Sequence, residues 1–162
     1  MVCVFQVFGK KDSGKTTAIE IAIKKLVSNG YYVAAIKHSH HIINSENKDT
    51  MKFEKAGAKI VIFHSNDCAL FFECSNYDYI NLIPADVILI EGFKNINIGK
   101  KIEIRNVNEA EYIANQIVED AKECKKEVKM EINGKIAERS FQNLAIFNLL
   151  RSLKVKEVKI ID

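Results

Sequence analysis

No stretch of this 162-residue chain approaches the roughly 20 consecutive apolar residues that a bilayer-spanning helix needs. Net charge is also small. The 24 Lys and Arg against 21 Asp and Glu leave a formal +3, too little to imply nucleic-acid binding by itself. No C-x-x-C pair occurs among Cys3, Cys68, Cys74 and Cys124, so no zinc site is expected from them. Cys68 and Cys74 fall on one expected strand, about 20 Å apart at strand rise, and cannot bridge each other there. The cysteines therefore read as reduced, buried thiols of a cytoplasmic protein. Proline occurs once, at Pro84, and no internal repeat or low-complexity tract is evident. The apolar start lacks a basic leader and reads as a strand, not a signal peptide. With 48% hydrophobic and 28% charged residues, the chain suits one compact domain with a small appendage.

What is present sits at the start. An apolar run, Val2 to Phe8, ends at Gly9, and G-x-x-x-x-G-K-T follows, with Gly9, Gly14, Lys15 and Thr16 in the fixed places. An amphipathic segment comes next, so the context is strand, loop, helix, as a phosphate-binding P-loop requires. Such a loop wraps an anion with backbone N–H groups, and its glycines allow angles that a Cβ forbids. The helix N-terminus adds its positive dipole end. On this reading Gly9, Lys10, Lys11, Asp12, Ser13, Gly14, Lys15, Thr16 and Thr17 form the phosphate loop. Lys15 reaches the outer phosphates, and Thr16 offers its hydroxyl to Mg²⁺. Lys10 stands where some dimeric P-loop ATPases carry a second phosphate lysine. Lys11 and Asp12 depart from the glycines found beside it there, so the match is set aside.

Further on, Ile19, Ala22, Ile23, Leu26 and Val27 recur at helical spacing, and Gly30 supplies the stop. Tyr32 to Lys37 has strand length, which makes a βαβ unit and hence a parallel sheet. A short helix is expected from Asp49 to near Gly57. Strands are expected over Lys59 to His64, Ala69 to Cys74, Asp86 to Glu91 and Ile102 to Arg105. Asn108 with Glu111 resembles a capping box for a helix running to about Cys124. Val128 to Ile132 alternates before Asn133-Gly134, a hairpin signal. A helix over Phe141 to Leu153 and a strand over Val155 to Ile161 complete a ββαβ unit. The expected fold is α/β: a P-loop NTPase three-layer sandwich with a mostly parallel sheet over 1–125, and a small ββαβ extension over 126–162. A helix as apolar as 141–153 must pack on the core or on another chain.

Three other places could carry chemistry. Glu91 follows four apolar residues, Val87 to Ile90, in a Walker B pattern with Glu for the commoner Asp. Such a carboxylate stands beside the loop at the sheet's carboxyl edge and holds Mg²⁺ directly or through water. The bland alternative is a strand end meeting solvent. Lys37, His38, His40 and His41 also follow a parallel strand and open onto that edge, as a nucleotide or substrate contact or as a solvated turn. A metal site there lacks a second ligand pair. Asp49 is either an N-cap or a water or metal contact near a γ-phosphate. Asn47-Lys48-Asp49 has the wrong spacing for the guanine-reading N-K-x-D.

Together the pieces resemble the MobB family of molybdopterin-guanine dinucleotide biosynthesis adapter proteins. The resemblance rests on Phe8 to Thr17, Ile36 to His41, Asp49-Thr50, Ala56 to Ala58 and Asp86 to Lys94, in the family's order. It implies a cytoplasmic, GTP-binding homodimer with weak GTPase activity that requires Mg²⁺ and assists a molybdopterin guanylyltransferase. It implies that Gly9, Gly14, Lys15, Thr16 and Thr17 bind phosphate and Mg²⁺, that Glu91 supports the metal, and that the His cluster, Asp49 and Lys94 flank the site. Neither nucleic acid nor membrane is an expected partner. The competing reading is a P-loop small-molecule kinase. Such kinases commonly bring arginines over the phosphates from a lid, whereas this chain has only Arg105, Arg139 and Arg151, all after the Walker B strand.

Overall fold

A computed structural model describes residues 3–39, 41, 43–74, 76–124 and 130–158. In chain order its elements are β1 (Cys3–Phe8), α1 (Lys15–Ser28), β2 (Val33–Lys37), α2 (Asp49–Lys55), β3 (Ile60–His64), β4 (Cys68–Phe72), β5 (Val87–Glu91), β6 (Lys100–Glu103), α3 (Ala110–Asp120), β7 (Glu131–Ile132), β8 (Lys135–Ile136) and α4 (Phe141–Ser152). They fall into two units, residues 1–38 with 78–162, and residues 39–77.

The first unit is built on a parallel sheet in the order β2-β5-β1-β6. The run Val87–Ile90 is buried residue by residue, as a central parallel strand covered on both faces must be. Period-2 alternation shares it between two cores. Val87 and Leu89, with Phe5 and Val7 of β1, pack under Ala18, Ala22 and Leu26 of α1 and Ala114 and Ile117 of α3. Ile88 and Ile90 face the other way, onto Ile80, Ala85, Ile83, Phe93 and Ile98. The expected α/β architecture, a parallel sheet with flanking helices, therefore stands. The layer on the second face is a 3₁₀ turn, Asp78–Leu82, and the coil through Ile98, with α4 packed on the turn.

Several boundaries shift for local reasons. β6 begins at Lys100, two residues before the expected start, because its pairing with β1 runs from Phe5↔Lys100 to Phe8↔Glu103. The cap of α3 is also two residues early. The Asn106 side chain accepts from the Asn108 N–H at 3.0 Å, and Glu109 accepts from the Arg105 N–H at 2.9 Å. The Asn-x-x-Glu box is thus 106–109, not 108–111, and a 3₁₀ turn leads into α3. Asn133 (φ 53°) and Gly134 (φ 76°) make the expected hairpin turn between β7 and β8. Residues 155–158 form no strand, and the rest of the strand expected to Ile161 lies outside the described residues, as does Val128.

The tail is fastened at the amino end of β5. Asp86, whose side chain is 1% exposed, accepts from the Tyr32 N–H at 2.6 Å and pairs with Arg139. The Arg139 guanidinium also lies over the Tyr32 ring, 4.1 Å from its centroid. Asn148 of α4 donates to the carbonyls of Ile83 and Ala85. A buried carboxylate needs such a partner, so the extension is tied to the core through a group the core could not leave unpaired.

In the second unit β3 and β4 form an antiparallel hairpin of their own, with Ile60↔Phe72 and His64↔Cys68 as its ends. They do not extend the parallel sheet, and Cys74 lies beyond β4. Lys48, not Asp49, occupies the N-cap of α2, without a side-chain cap bond.

The cysteines overturn their expected state. Cys3 and Cys124 form a disulfide across 121 residues of sequence, with Cα atoms 5.9 Å apart, joining the start of β1 to the turn after α3. That pairing was invisible in the sequence because neither residue has a neighbouring cysteine. Cys68 and Cys74 are free but exposed, not buried. The bridge closes a long loop, so its reduction should lower unfolding stability by about 2–5 kcal/mol. Urea unfolding with and without reductant measures this. In the denatured, unreduced protein, two of the four cysteines should react with Ellman's reagent; four reactive thiols would remove the bridge.

Candidate functional site

The loop from Gly9 to Gly14 crosses from β1 to α1 under tight packing. A Cβ at Gly9 would stand 2.1 Å from the Ile104 carbonyl oxygen and 2.8 Å from Ser13 Oγ. Gly14 has φ +91°, and a Cβ there would meet Val107 Cα at 2.8 Å. Both glycines are therefore required by space, and Gly14 also by its backbone angle. Asp12 takes a left-handed angle as well, φ 59°, so the chain coils before entering α1. Lys15 lies back across this coil and donates to the Gly9 carbonyl at 3.3 Å and the Lys10 carbonyl at 2.5 Å.

The sheet register brings the other half of the site to the loop. β1 and β5 pair so that Val7 is opposite Glu91, and β2 and β5 so that Lys37 is opposite Glu91. Glu91 then ends its strand beside the first turn of α1. The Thr16 hydroxyl donates to Glu91 Oε2 at 2.8 Å, and Lys37 Nζ stands 3.7 Å from Oε1. Around them lies a cavity of about 440 Å³ lined by Lys11 to Thr17, Lys37, Glu91 and Val107. Three lysines face two carboxylates there, which favours an anion. Ser13 Oγ is buried with no hydrogen-bond partner among the described residues. A polar loop atom left in that state fits a site built around a ligand with acceptor oxygens.

Most of the expected site residues meet here. Lys11, Asp12, Ser13, Gly14, Lys15, Thr16, Thr17, Lys37 and Glu91 line the cavity. Gly9 shapes its floor, and Lys10 contributes its carbonyl to Lys15. His38 leaves β2 with its N–H on the Glu91 carbonyl at 2.9 Å and its ring 4.2 Å from that of Phe93. Lys94 is exposed, and its carbonyl accepts from Lys101. His40 lies outside the described residues. His41 and Asp49 belong to the second unit. There the Asp49 carboxylate takes a 2.8 Å hydrogen bond from Lys52, which with the lysine's charge holds it below its usual range. No group of three metal-ligating side chains occurs among the described residues.

Two contributors lie outside the motifs. Val107 walls the cavity from the turn before α3, where it reads as an ordinary exposed apolar residue. Gln6 is fully buried within β1, a polar residue in an apolar strand, and that contrast was the available clue. The three arginines stand elsewhere. Arg105 lies in a separate groove with Tyr112 and Glu109, Arg139 is held by Asp86, and Arg151 lies over Phe147.

Residues 4–122 match the model of the family described as MobB, molybdopterin guanine dinucleotide synthesis protein B. A protein of Methanocaldococcus jannaschii is 32% identical over 132 residues, 72% of this chain and 55% of its own length. The molybdopterin-guanine dinucleotide biosynthesis adapter protein of Haemophilus influenzae is 34% identical over 102 residues, 57% of each chain. The chain thus spans little more than half the length of these relatives. A crystal structure of a MobB homologue from Bacillus stearothermophilus is 19% identical and superposes with a TM-score of 0.49, covering 74% of this chain and 97% of that one. The fold rests on the strand order and register above, not on that superposition.

Lys15 opens α1 and lines the cavity, half-buried. Lys15→Ala should leave the melting temperature nearly unchanged and weaken binding of a fluorescent GTP analogue by about tenfold to a hundredfold, the worth of a hydrogen bond to a charged group. Unchanged affinity in a folded variant would sink the phosphate-site assignment.

Proposed function

Because this chain belongs to the MobB family, we propose that it is a GTP-binding adapter with weak GTPase activity that assists a guanylyltransferase in molybdopterin guanine dinucleotide synthesis. The observation that carries the nucleotide reading is the Thr16–Glu91 hydrogen bond at the mouth of the loop cavity. A hydroxyl at the start of a phosphate-loop helix, facing a carboxylate from the neighbouring parallel strand, is the oxygen pair that P-loop proteins give to Mg²⁺. Thr16 and Glu91 would hold the ion, which neutralises charge on the outer phosphates when bound. Lys15 turns from the loop carbonyls to those phosphates, and the backbone of Lys11 to Gly14 cradles them.

Slow turnover follows from what surrounds the loop. An arginine over the transferring phosphoryl group is worth about 10³–10⁵ in rate. Lys11, Lys15 and Lys37 are the cations lining the cavity, and all three arginines have other partners or places. The same arrangement disfavours a small-molecule kinase. The guanine preference, the cytoplasmic setting and the homodimer are drawn from the family.

Competition separates the nucleotide preferences: GTP should displace a bound fluorescent GTP analogue at far lower concentration than ATP does, and equal displacement would count against the reading. Single-turnover hydrolysis of GTP by the protein alone should run at about 10⁻⁴–10⁻² per second. Several turnovers per second, or phosphate transfer to a small acceptor, would replace the adapter with a self-sufficient enzyme. Light scattering should return twice the 18.4 kDa chain mass; a monomer would remove the dimer from the proposal.

A further inference from the structure

We propose that Gln6 is a positioning residue: its buried amide holds the 92–98 turn, and through that turn it sets the Glu91 carboxylate against Thr16. The proposal rests on the Mg-nucleotide reading of the site and assigns a residue to that reading which the loop motifs do not contain.

Gln6 lies mid-strand in β1, opposite Ile90 of β5 and Lys101 of β6, and is 0% exposed. A buried amide among apolar neighbours is destabilising unless its hydrogen bonds are made. Here they are made with a single segment. Nε2 donates to the carbonyls of Gly92 at 3.0 Å, Phe93, and Ile96 at 3.0 Å, while Oε1 accepts from the Ile98 N–H at 3.4 Å. Two amide hydrogens thus serve three carbonyls. The reverse amide orientation would set Oε1 against all three, so the partners themselves determine which end faces them.

That segment begins at the residue after Glu91. Gly92 and Phe93 both take left-handed angles, φ 108° and 53°, so the chain reverses as it leaves β5. For Phe93 this conformation is uncommon and needs support from outside. Gln6 binds both carbonyls of the reversal, while the Gly92 N–H bonds the Val7 carbonyl at 3.0 Å. The direction of the Glu91 side chain depends on this backbone. So does the Phe93 ring, which meets His38, whose own N–H is on the Glu91 carbonyl. One side chain from β1 therefore holds the turn that leaves β5, and the Phe93 ring of that turn meets His38 just after β2. A hydrophobic residue at position 6 would fill the space and leave the carbonyls of the turn without their shared donor.

The test uses the full chain and the variants Gln6→Met, of similar volume, and Glu91→Gln. A fluorescent GTP analogue is titrated with Mg²⁺ and again with EDTA, alongside thermal melts. If Gln6 acts through Glu91, Gln6→Met weakens binding about tenfold with Mg²⁺ and raises the Mg²⁺ needed for half-maximal binding, while binding in EDTA stays within about twofold. The double variant should then lose little beyond Glu91→Gln alone, because the two residues act as a unit. Equal losses with and without Mg²⁺, additive losses in the double variant, or wild-type behaviour in Gln6→Met would each overturn the proposal. If Gln6→Met does not fold, Gln6→Asn, with the amide one methylene short, carries the same comparison. A wild-type protein with no Mg-dependent nucleotide binding would instead defeat the underlying reading, so the two failures are distinguishable.

Discussion

The parallel pairing of β1 with β5 is the constraint on which the rest depends. It sets Val7 opposite Glu91, and so places a loop that must leave β1 at Gly9 next to a carboxylate that must end β5. The pairing is possible because Val87 to Ile90 can be buried on both faces at once. With β5 central, β2 falls on its other side and delivers Lys37 to the same edge. The hydrogen bond from Thr16 to Glu91 is then a consequence of register, not of any local affinity between residues 75 apart in sequence.

The two ends of β5 carry opposite kinds of charge economy. At the carboxyl end Glu91 is partly open and shares its oxygens with Thr16 and Lys37, which leaves it available to a cation. At the amino end Asp86 is shut away and held by the Tyr32 N–H and Arg139. One carboxylate lines a cavity and the other attaches the tail. The extension lies outside the matched residues 4–122, yet its Arg139 partners a carboxylate within them. The disulfide adds a covalent tie from the beginning of β1 to the residue where the matched core gives way to the tail.

Much of this was legible in the sequence, and the reason differs by element. The loop from Gly9 to Gly14 was readable because its requirements are local: two glycines at sites where a Cβ would collide or strain, and a lysine and threonine that open a helix. Glu91 was readable because a run of four apolar residues announces a central strand and marks its end. The capping box slipped by two residues because Asn106 and Asn108 both offer an amide, and only the position where β6 releases the chain decides between them. The turn Asp78–Leu82 on the second face carried no reading of its own, because a 3₁₀ turn has no strong periodicity. The thiols were misread because a bridge between residues 121 apart leaves no spacing signal.

By itself the sequence determined most of the order of strands and helices, the glycine positions of the loop, the central burial of β5 and the residue types that line the cavity. These follow from steric limits and hydrophobic periodicity, which act over a few neighbouring residues. Only the tertiary structure decided which distant groups meet: Glu91 with Thr16, Cys3 with Cys124, Arg139 with Asp86, and Gln6 with the turn at 92–98. It also decided that β3 and β4 pair with each other instead of joining the parallel sheet. Those outcomes depend on register and on burial of particular atoms, and a side chain's partner across the fold is set by packing that no stretch of the chain encodes alone.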